Sequence, residues 1–219
     1  MNTELTINDI VFGNAESKRI IEDIISGAEP MPSPYGKTGI LLYGVYGTGK
    51  TALARLLPNA IEIGTTGNEL GMDAEFIGCQ QGYAGPQVMA DIKSIASKAA
   101  FYNSSGNHYI IIDEVDVLSD KAQESLKTAL NAKRTIFILT TNHVASLDKG
   151  MLNRCICVEM NSASVPQLIE LGRKITADIN VVLDDTELTE IVSKCGGSIR
   201  NVADRVRRYA RRKLQDAAA

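Results

Sequence analysis

Five short, almost uninterrupted apolar runs punctuate the first three quarters of the chain: GILLY (39–43), EFIGC (75–79), HYIII (108–112), TIFILT (135–140) and CICVEM (155–160). A strand with one wet face alternates apolar and polar residues, whereas a strand covered on both faces reads as a continuous apolar run. Helical patterns stand between the runs at 50–57, 86–101 and 120–131, with Ser119 or Asp120 as N-cap of the last. The alternation predicts an α/β fold, a five-stranded parallel sheet flanked by helices. Beyond Ser162 the apolar runs stop, and 165–179, 185–194 and 198–214 all read as helices, with Gly196-Gly197 as the stop between the last two. The expected division is therefore an α/β domain over 1–161 and a small all-helical domain over 162–219.

The first run leads into GVYGTGKTA, that is Gly44, Val45, Tyr46, Gly47, Thr48, Gly49, Lys50, Thr51 and Ala52. G-x-x-x-x-G-K-T placed after a strand and before a helix is a phosphate-binding loop. Its glycines let successive backbone N–H groups turn inward on an anion, and the helix N-terminus adds its dipole at the same spot. Lys50 is expected to reach the β- and γ-phosphates of a bound nucleotide, and Thr51 to offer a hydroxyl to Mg²⁺. A second signal ends the third run, where Asp113 and Glu114 follow Tyr109-Ile110-Ile111-Ile112. An acid at the carboxyl end of a buried parallel strand suits Mg²⁺, so Asp113 joins Thr51 as a metal ligand. Glu114, one residue further on, is suited to polarise a water for attack on the γ-phosphate, which predicts an ATPase and not only a binding module.

Composition narrows the remaining choices. With 44% hydrophobic and 22% charged residues the chain has the balance of an ordinary globular protein, and its net charge of −3 argues against electrostatic nucleic-acid binding by the molecule as a whole. The charge is uneven: residues 200–213 hold six arginines and Lys213 against Asp204, so this segment carries +6 and the remainder −9. Cys79, Cys155, Cys157 and Cys195 lack C-x-x-C spacing, which fits free thiols in a reducing cytosol. The amino-terminal MNTELTINDIVF shows no basic segment followed by an apolar one, and no run approaches membrane-spanning length, so the expected location is cytoplasmic, with no membrane partner.

Taken together, these motifs resemble those of the AAA+ ATPases, and within them the clamp-loader ATPase subunits of the replication factor C and bacterial gamma-complex type, over about Ile7 to Arg212. Asp9-Ile10-Val11-Phe12-Gly13-Asn14 looks like the segment that packs on adenine, with Val11 and Phe12 at the cofactor. GVYGTGKT resembles Walker A, IIIDEVD resembles Walker B, and Thr140-Thr141-Asn142 looks like sensor 1, which implies that Asn142 contacts the γ-phosphate or the attacking water. DKAQESLKTAL (120–130) resembles the clamp-loader helix after Walker B. LNRCICVEM (152–160) is similar to the Ser-Arg-Cys motif, and the resemblance implies that Arg154 enters a neighbouring subunit's pocket. Gly196-Gly197-Ser198-Ile199-Arg200-Asn201 looks like sensor 2 of a helical lid, with Arg200 reaching the nucleotide.

The resemblance implies a P-loop AAA+ core and lid with ATP and Mg²⁺ between them, assembly into a homo- or hetero-oligomer of AAA+ subunits, and work on DNA and a sliding clamp or another replication protein. Without it, Arg154 reads as a surface ion-pair partner, Arg200 as one arginine on a basic helix, and Asn142 as a turn former at a strand end. The sequence departs from the family at Val45-Tyr46, where prolines are common, and at Asn153, where clamp loaders have serine. It also ends at Ala219 without the helical collar of those subunits.

Three further features stay open on sequence. Tyr83 in Gly82-Tyr83-Ala84-Gly85 is either turn chemistry before Pro86 or the pore aromatic of a threading motor. Lys93 and Lys98 are solvated lysines or phosphate contacts. The basic run from Arg205 to Lys213 is a solvated face or a surface for an acidic neighbour or nucleic acid. The competing functions are accordingly a remodelling or threading motor, and an ATP-gated scaffold with negligible hydrolysis.

Overall fold

The computed structural model describes residues 5–72, 74–79, 90 and 103–217. The predicted helix at 86–101, apart from Ala90, and with it Tyr83, Lys93 and Lys98, lies outside the described residues. All five predicted strands are present: β1 (Gly39–Tyr43), β2 (Glu75–Gly78), β3 (His108–Asp113), β4 (Thr135–Thr141) and β5 (Cys155–Glu159). They form one sheet in the order β2-β3-β4-β1-β5, every pair parallel. Tyr43 at the end of β1 stands opposite Thr141 at the end of β4, so the carboxyl ends of these neighbouring strands open at the same edge of the sheet. That edge, near the point where strand order departs from chain order, is where open α/β sheets bind ligands.

The continuous apolar runs are explained by cover on both faces. On one face Leu41, Ile110, Ile112, Phe137 and Leu139 form a core with Ala122, Leu126 and Leu130 of the α3 segment and with Met151 of α4, where α3 is Asp120–Ala129 and α4 is Lys149–Asn153. The intervening residues Ile40, Leu42, Ile111, Ile136 and Ile138 point to the opposite face and are equally buried. Helix α2 (Lys50–Thr66) packs against β1, β3 and β4 and buries Leu53, Ala54, Leu57 and Ile61. Ser119 caps α3 as expected, its hydroxyl accepting from the Ala122 N–H.

Two elements differ from the sequence-based expectation. Helix α1 (Ala15–Ser26) forms where only an adenine-contacting segment is expected upstream; Ser17, Ile21 and Ile24, at helical spacing, are its buried stripe. Helix α2 does not stop at Leu57 but runs on through Pro58. A proline inside a helix costs about 3 kcal/mol through its missing N–H and its ring. The extra turns seat Ile61, worth about 2 kcal/mol when buried. They also carry the buried Glu62 to the Tyr109 hydroxyl at 2.8 Å and to the backbone N–H and hydroxyl of Ser105. Only the continued helix makes these contacts, and they offset the proline penalty. Burial, and then the bond to Glu62, pushes the Tyr109 hydroxyl well above the ordinary phenol range.

The chain gathers into two compact units. One comprises Glu16–Gly44 and Lys50–Glu159, and the other Met1–Ala15, Val45–Gly49 and Met160–Ala219. The second contains α5 (Val165–Ala177), α6 (Asp185–Ser193) and α7 (Ile199–Ala217), which bury Leu168, Leu188, Val192, Val202, Val206 and Ala210 together. Capping boxes open α5 (Ser164 with Gln167) and α6 (Asp184 with Glu187). Gly172 lets α5 and α6 approach closely, since a Cβ there would lie 2.8 Å from Leu188 Cδ2. Among the described residues no helix is long and apolar enough to cross a membrane.

Candidate nucleotide site

At the carboxyl edge of the sheet, two hydroxyls meet on one carboxylate oxygen. Thr51, in the first turn of α2, donates its hydroxyl to Asp113 Oδ1 at 2.9 Å, and Thr140, near the end of β4, donates to the same oxygen at 2.6 Å. The Thr140 hydroxyl oxygen in turn accepts the backbone N–H of Glu114 at 3.0 Å. Glu114 is held at φ 60°, ψ 51°, a left-handed conformation that costs a non-glycine residue about 1–2 kcal/mol. Such an outlier persists only where its surroundings over-determine it, and here the anchor is Thr140. The turn leaves Glu114 exposed, directly after Asp113 at the end of β3.

A second layer braces the first. Asp116 Oδ1 accepts the Thr141 hydroxyl at 2.7 Å and the Asn142 backbone N–H at 3.4 Å, tying the Asp113–Asp116 turn to the end of β4. The Asn142 side chain, half-buried, makes no hydrogen bond among the described residues, so its amide is available to a ligand. Cys79 senses the cluster: burial first, and then the carboxylates of Asp113, Asp116 and Glu114, push its thiol up to about 12. Lys50 is buried and donates from Nζ to the Gly44 carbonyl at 3.0 Å, so its ammonium is held at the mouth of the loop.

Within the loop, Gly47 and Gly49 take φ of 78° and 91°, conformations that only glycine adopts without strain and that turn N–H groups inward. The Thr48 hydroxyl donates to the Val45 carbonyl at 3.0 Å, while Val45 and Tyr46 are exposed. Ala52 follows Thr51 in α2 and is half-buried. In the helical unit, Ser198 lies against Gly47, and the Arg200 N–H donates to the Gly47 carbonyl at 3.2 Å. The Arg200 side chain is exposed, in the first turn of α7, without an ion-pair partner among the described residues. Val11 and Phe12 are half-buried in the same unit; Val11 packs on the helical core and the Phe12 carbonyl accepts from Gln167 at 2.9 Å.

Arg154 caps the C-terminus of α4, half-buried. Its Nε donates to Asn131 Oδ1 at 3.0 Å and its Nη1 to the Gly150 carbonyl at 2.8 Å. Among the described residues no carboxylate lies within ion-pair distance. The guanidinium is thus fixed by neutral groups and keeps its charge for an anion, unlike the surface ion pair that the residue alone suggests.

Thr51 and Asp113 converge through hard oxygens, a donor set suited to Mg²⁺, which takes only one or two protein ligands when phosphates supply others. Among the described residues no group of three or more His, Cys, Asp or Glu is placed to hold a metal alone. Sequence reasoning gave roles to Asp113, Glu114, Lys50 and Thr51, named Thr140, Thr141, Asp116 and Ser198 only as members of the sensor 1, Walker B and sensor 2 stretches, and gave no part to Asn131. For Asp116 the signal was its place three residues after Asp113; for the threonines nothing short of strand register shows which hydroxyl meets which carboxylate.

A glycine loop between β1 and α2, a pair of acids at the end of the buried strand next but one, and a strand order of 2-3-4-1-5 define a class of fold, the P-loop AAA+ fold. The family model described as "ATPase family associated with various cellular activities (AAA)" matches residues 40–161, more than half of the chain. The chain belongs to this family. It is 24% identical over 175 residues to DNA polymerase III subunit gamma of Buchnera aphidicola, covering 74% of this chain and 47% of that protein. It is 25% identical over 198 residues to a probable replication factor C subunit 2 of Dictyostelium discoideum, covering 90% and 55%. A relative of another kind, the ATP-dependent zinc metalloprotease FtsH of Lachnoclostridium phytofermentans, is 27% identical over 210 residues, covering 84% and 34%. Among solved structures, the RuvB Holliday junction branch migration motor of Thermotoga maritima superposes with a TM-score of 0.72 over 98% of this chain and 66% of that one, at 19% identity, a likeness of fold. The chain spans about half or less of the length of these three curated relatives.

Proposed function

We propose that the chain is a Mg²⁺-dependent ATPase that hydrolyses ATP to ADP and phosphate, working in an oligomer of AAA+ subunits on DNA in the manner of a clamp-loader subunit. The observation that carries the reading is the meeting of Thr51, Thr140 and Asp113 on one oxygen, with Glu114 anchored beside it in a left-handed turn. In this reading the loop from Gly44 to Ala52 cradles the phosphates, and Lys50 neutralises the charge on the β- and γ-oxygens. Thr51 and Asp113 would hold Mg²⁺, which when bound neutralises charge on the phosphate oxygens. Glu114 accepts a proton from the attacking water as its oxygen bonds to the γ-phosphorus and the bond to the ADP oxygen breaks in line. Asn142 orients that water or the γ-phosphate. Val11, Phe12 and Arg200 keep the cofactor contacts that the family resemblance assigns them. Arg154 serves the pocket of a neighbouring subunit, a role supported by its fixed and unneutralised guanidinium.

The replication assignment, with DNA and a sliding clamp as partners, is supported by the two relatives named for DNA polymerase III and replication factor C. The FtsH match supports a remodelling motor as the second reading. ATP turnover stimulated by DNA favours the first, and turnover stimulated by an unfolded protein the second.

The chemistry is tested by equilibrium ATP binding and single-turnover hydrolysis. Glu114→Gln should leave affinity nearly intact and slow hydrolysis by at least about 100-fold, because the amide keeps the shape and loses the base. Lys50→Ala should instead lose binding, since it removes a charge-assisted phosphate contact. A Glu114→Gln protein that turns over at the wild-type rate removes Glu114 from the mechanism.

A further inference from the structure

Helix α7 buries Val202, Val206 and Ala210 on one side and turns Arg205, Arg207, Arg208, Arg211 and Arg212 to solvent on the other. Of these five, only Arg208 has a carboxylate partner among the described residues, Asp204 on the preceding turn. Elsewhere the chain handles surface cations differently. Both basic residues of α1 are paired at i,i+4, Lys18 with Glu22 and Arg19 with Asp23. On α7 the i,i+4 positions instead set Arg207 against Arg211 and Arg208 against Arg212, like charges that oppose helix formation. Arg205, Arg208 and Arg212 also border a groove of about 410 Å³ whose other wall carries Glu187 and Glu190. Those carboxylates do not neutralise the arginines: Lys213 and Tyr209 hold Glu187, and Lys194 holds Glu190. The helix therefore keeps a concentrated positive face within a chain that is otherwise acidic, and an external anion is what would relieve it.

We propose that the outward face of α7, through Arg205, Arg207, Arg208, Arg211 and Arg212, binds the phosphate backbone of duplex DNA. The proposal rests on the DNA part of the function proposed above and not on its hydrolytic part. Three observations select DNA over an acidic protein. Among the described residues the face has no apolar centre: the exposed apolar side chains near it are Tyr209, whose hydroxyl is committed to Glu187, Leu214 near the helix end, and Val182, which lies off the face beside Lys213. Protein interfaces have cores depleted of charge and anchored by apolar groups, whereas phosphate contact needs none. The five positions are all arginine, whose planar fork matches phosphate oxygens. Finally, Arg205 to Arg212 rise about 10 Å along the helix, which is about three phosphate spacings of one strand at about 3.4 Å of axis each and so reaches about four phosphates. The contact carries no base information, so the face holds DNA without choosing its sequence.

The test uses the full chain and a labelled 20-base-pair duplex of arbitrary sequence, with binding followed by fluorescence anisotropy. Four phosphate contacts should make binding about 100-fold weaker at 200 mM than at 50 mM salt. Replacing the four unpaired arginines (Arg205, Arg207, Arg211 and Arg212) by Gln should weaken binding at 50 mM at least about 100-fold and leave only a few-fold salt dependence. The same four changed to Lys should retain most of the affinity. Circular dichroism and basal ATP turnover check that the helix and the nucleotide site survive, and Arg207→Gln alone should lower the salt slope by about one. If the four-Gln protein binds as well as wild type, the α7 face is wrong while the DNA reading stands. If wild type fails to bind at 50 mM, both fall, with the ATPase reading untouched. If poly-glutamate displaces the duplex at equal charge concentration, the surface is one for acidic protein and the proposal is overturned.

Discussion

Thr140→Val separates the scaffold of the nucleotide site from its chemistry. The side chain is buried and nearly the same size as valine, so packing is largely retained and the change is confined to one hydroxyl. That hydroxyl donates to Asp113 at 2.6 Å and accepts from the Glu114 N–H at 3.0 Å. A hydrogen bond to a carboxylate contributes about 1.5–3 kcal/mol, and Asp113 is only half-buried, so water offsets part of the loss. Glu114 is exposed, so its freed N–H finds water and adds little. The lost bond is thus worth about 2 kcal/mol, and the strain released as the Glu114 turn relaxes offsets about 1–2 kcal/mol of it, so the net loss of stability should be no more than about 1 kcal/mol. Without its anchor the left-handed Glu114 turn relaxes toward an ordinary conformation, releasing about 1–2 kcal/mol of strain and moving the carboxylate. If a similar amount, about 2 kcal/mol, is lost from transition-state stabilisation, kcat falls about 30-fold. ATP affinity, carried by the loop and Lys50, should change less than about threefold. Steady-state kinetics, nucleotide titration and urea unfolding measure the three quantities, and Thr140→Ser, which restores the hydroxyl, should recover most of kcat. A valine variant with unchanged kcat, or a serine variant as impaired as valine, would show that Thr140 does not position Glu114.

Other outcomes follow from the same geometry. Gly47→Ala forces a left-handed φ on alanine and drives a Cβ into Ser198. It should lower the unfolding midpoint and weaken ATP binding at least about tenfold, while adding Ser198→Ala should recover part of the stability but not the part due to φ. An Arg154→Ala protein and a Glu114→Gln protein, each inactive alone, should regain measurable turnover when mixed in a confirmed hetero-oligomer, since a trans-acting arginine contributes several orders of magnitude in rate. No recovery in such an oligomer removes the trans role. His108, buried with Nδ1 unpartnered, has its pKa lowered by burial from the ordinary 6.5. The folded state thus resists a proton that the unfolded chain accepts, so stability is fully present above about pH 6.5 and is lost as pH falls below it. The drop in urea midpoint between pH 7.5 and 5.5 should be smaller in His108→Gln, and an equal drop in both proteins would assign it elsewhere.

The sequence by itself determined the layers and the chemistry that lies close along the chain. Continuous apolar runs report burial on both faces whatever the strand order, which is why all five strands were legible to within two residues. The glycine turn between β1 and α2 was legible because its glycines, Lys50 and Thr51 are neighbours in sequence, and the place of Asp113-Glu114 because an acid ends a buried strand; that these residues hold phosphate and Mg²⁺ is the proposal made above. The unexpected helices had other causes. The stripe of Ser17, Ile21 and Ile24 is short and partly polar. The continuation of α2 past Pro58 depends on what Ile61 and Glu62 meet, which local propensity does not contain. Tertiary structure alone decided that Thr140 and Thr51 share Asp113 Oδ1, that Asp116 ties its turn to Thr141, and that Arg154 rests on Asn131 and Gly150. Each of these bonds joins segments between four and 62 residues apart, and most join different elements. Hydrophobic periodicity records only whether a side chain faces inward; which polar groups meet at the sheet edge depends on strand order and register, fixed when β1 came to lie between β4 and β5.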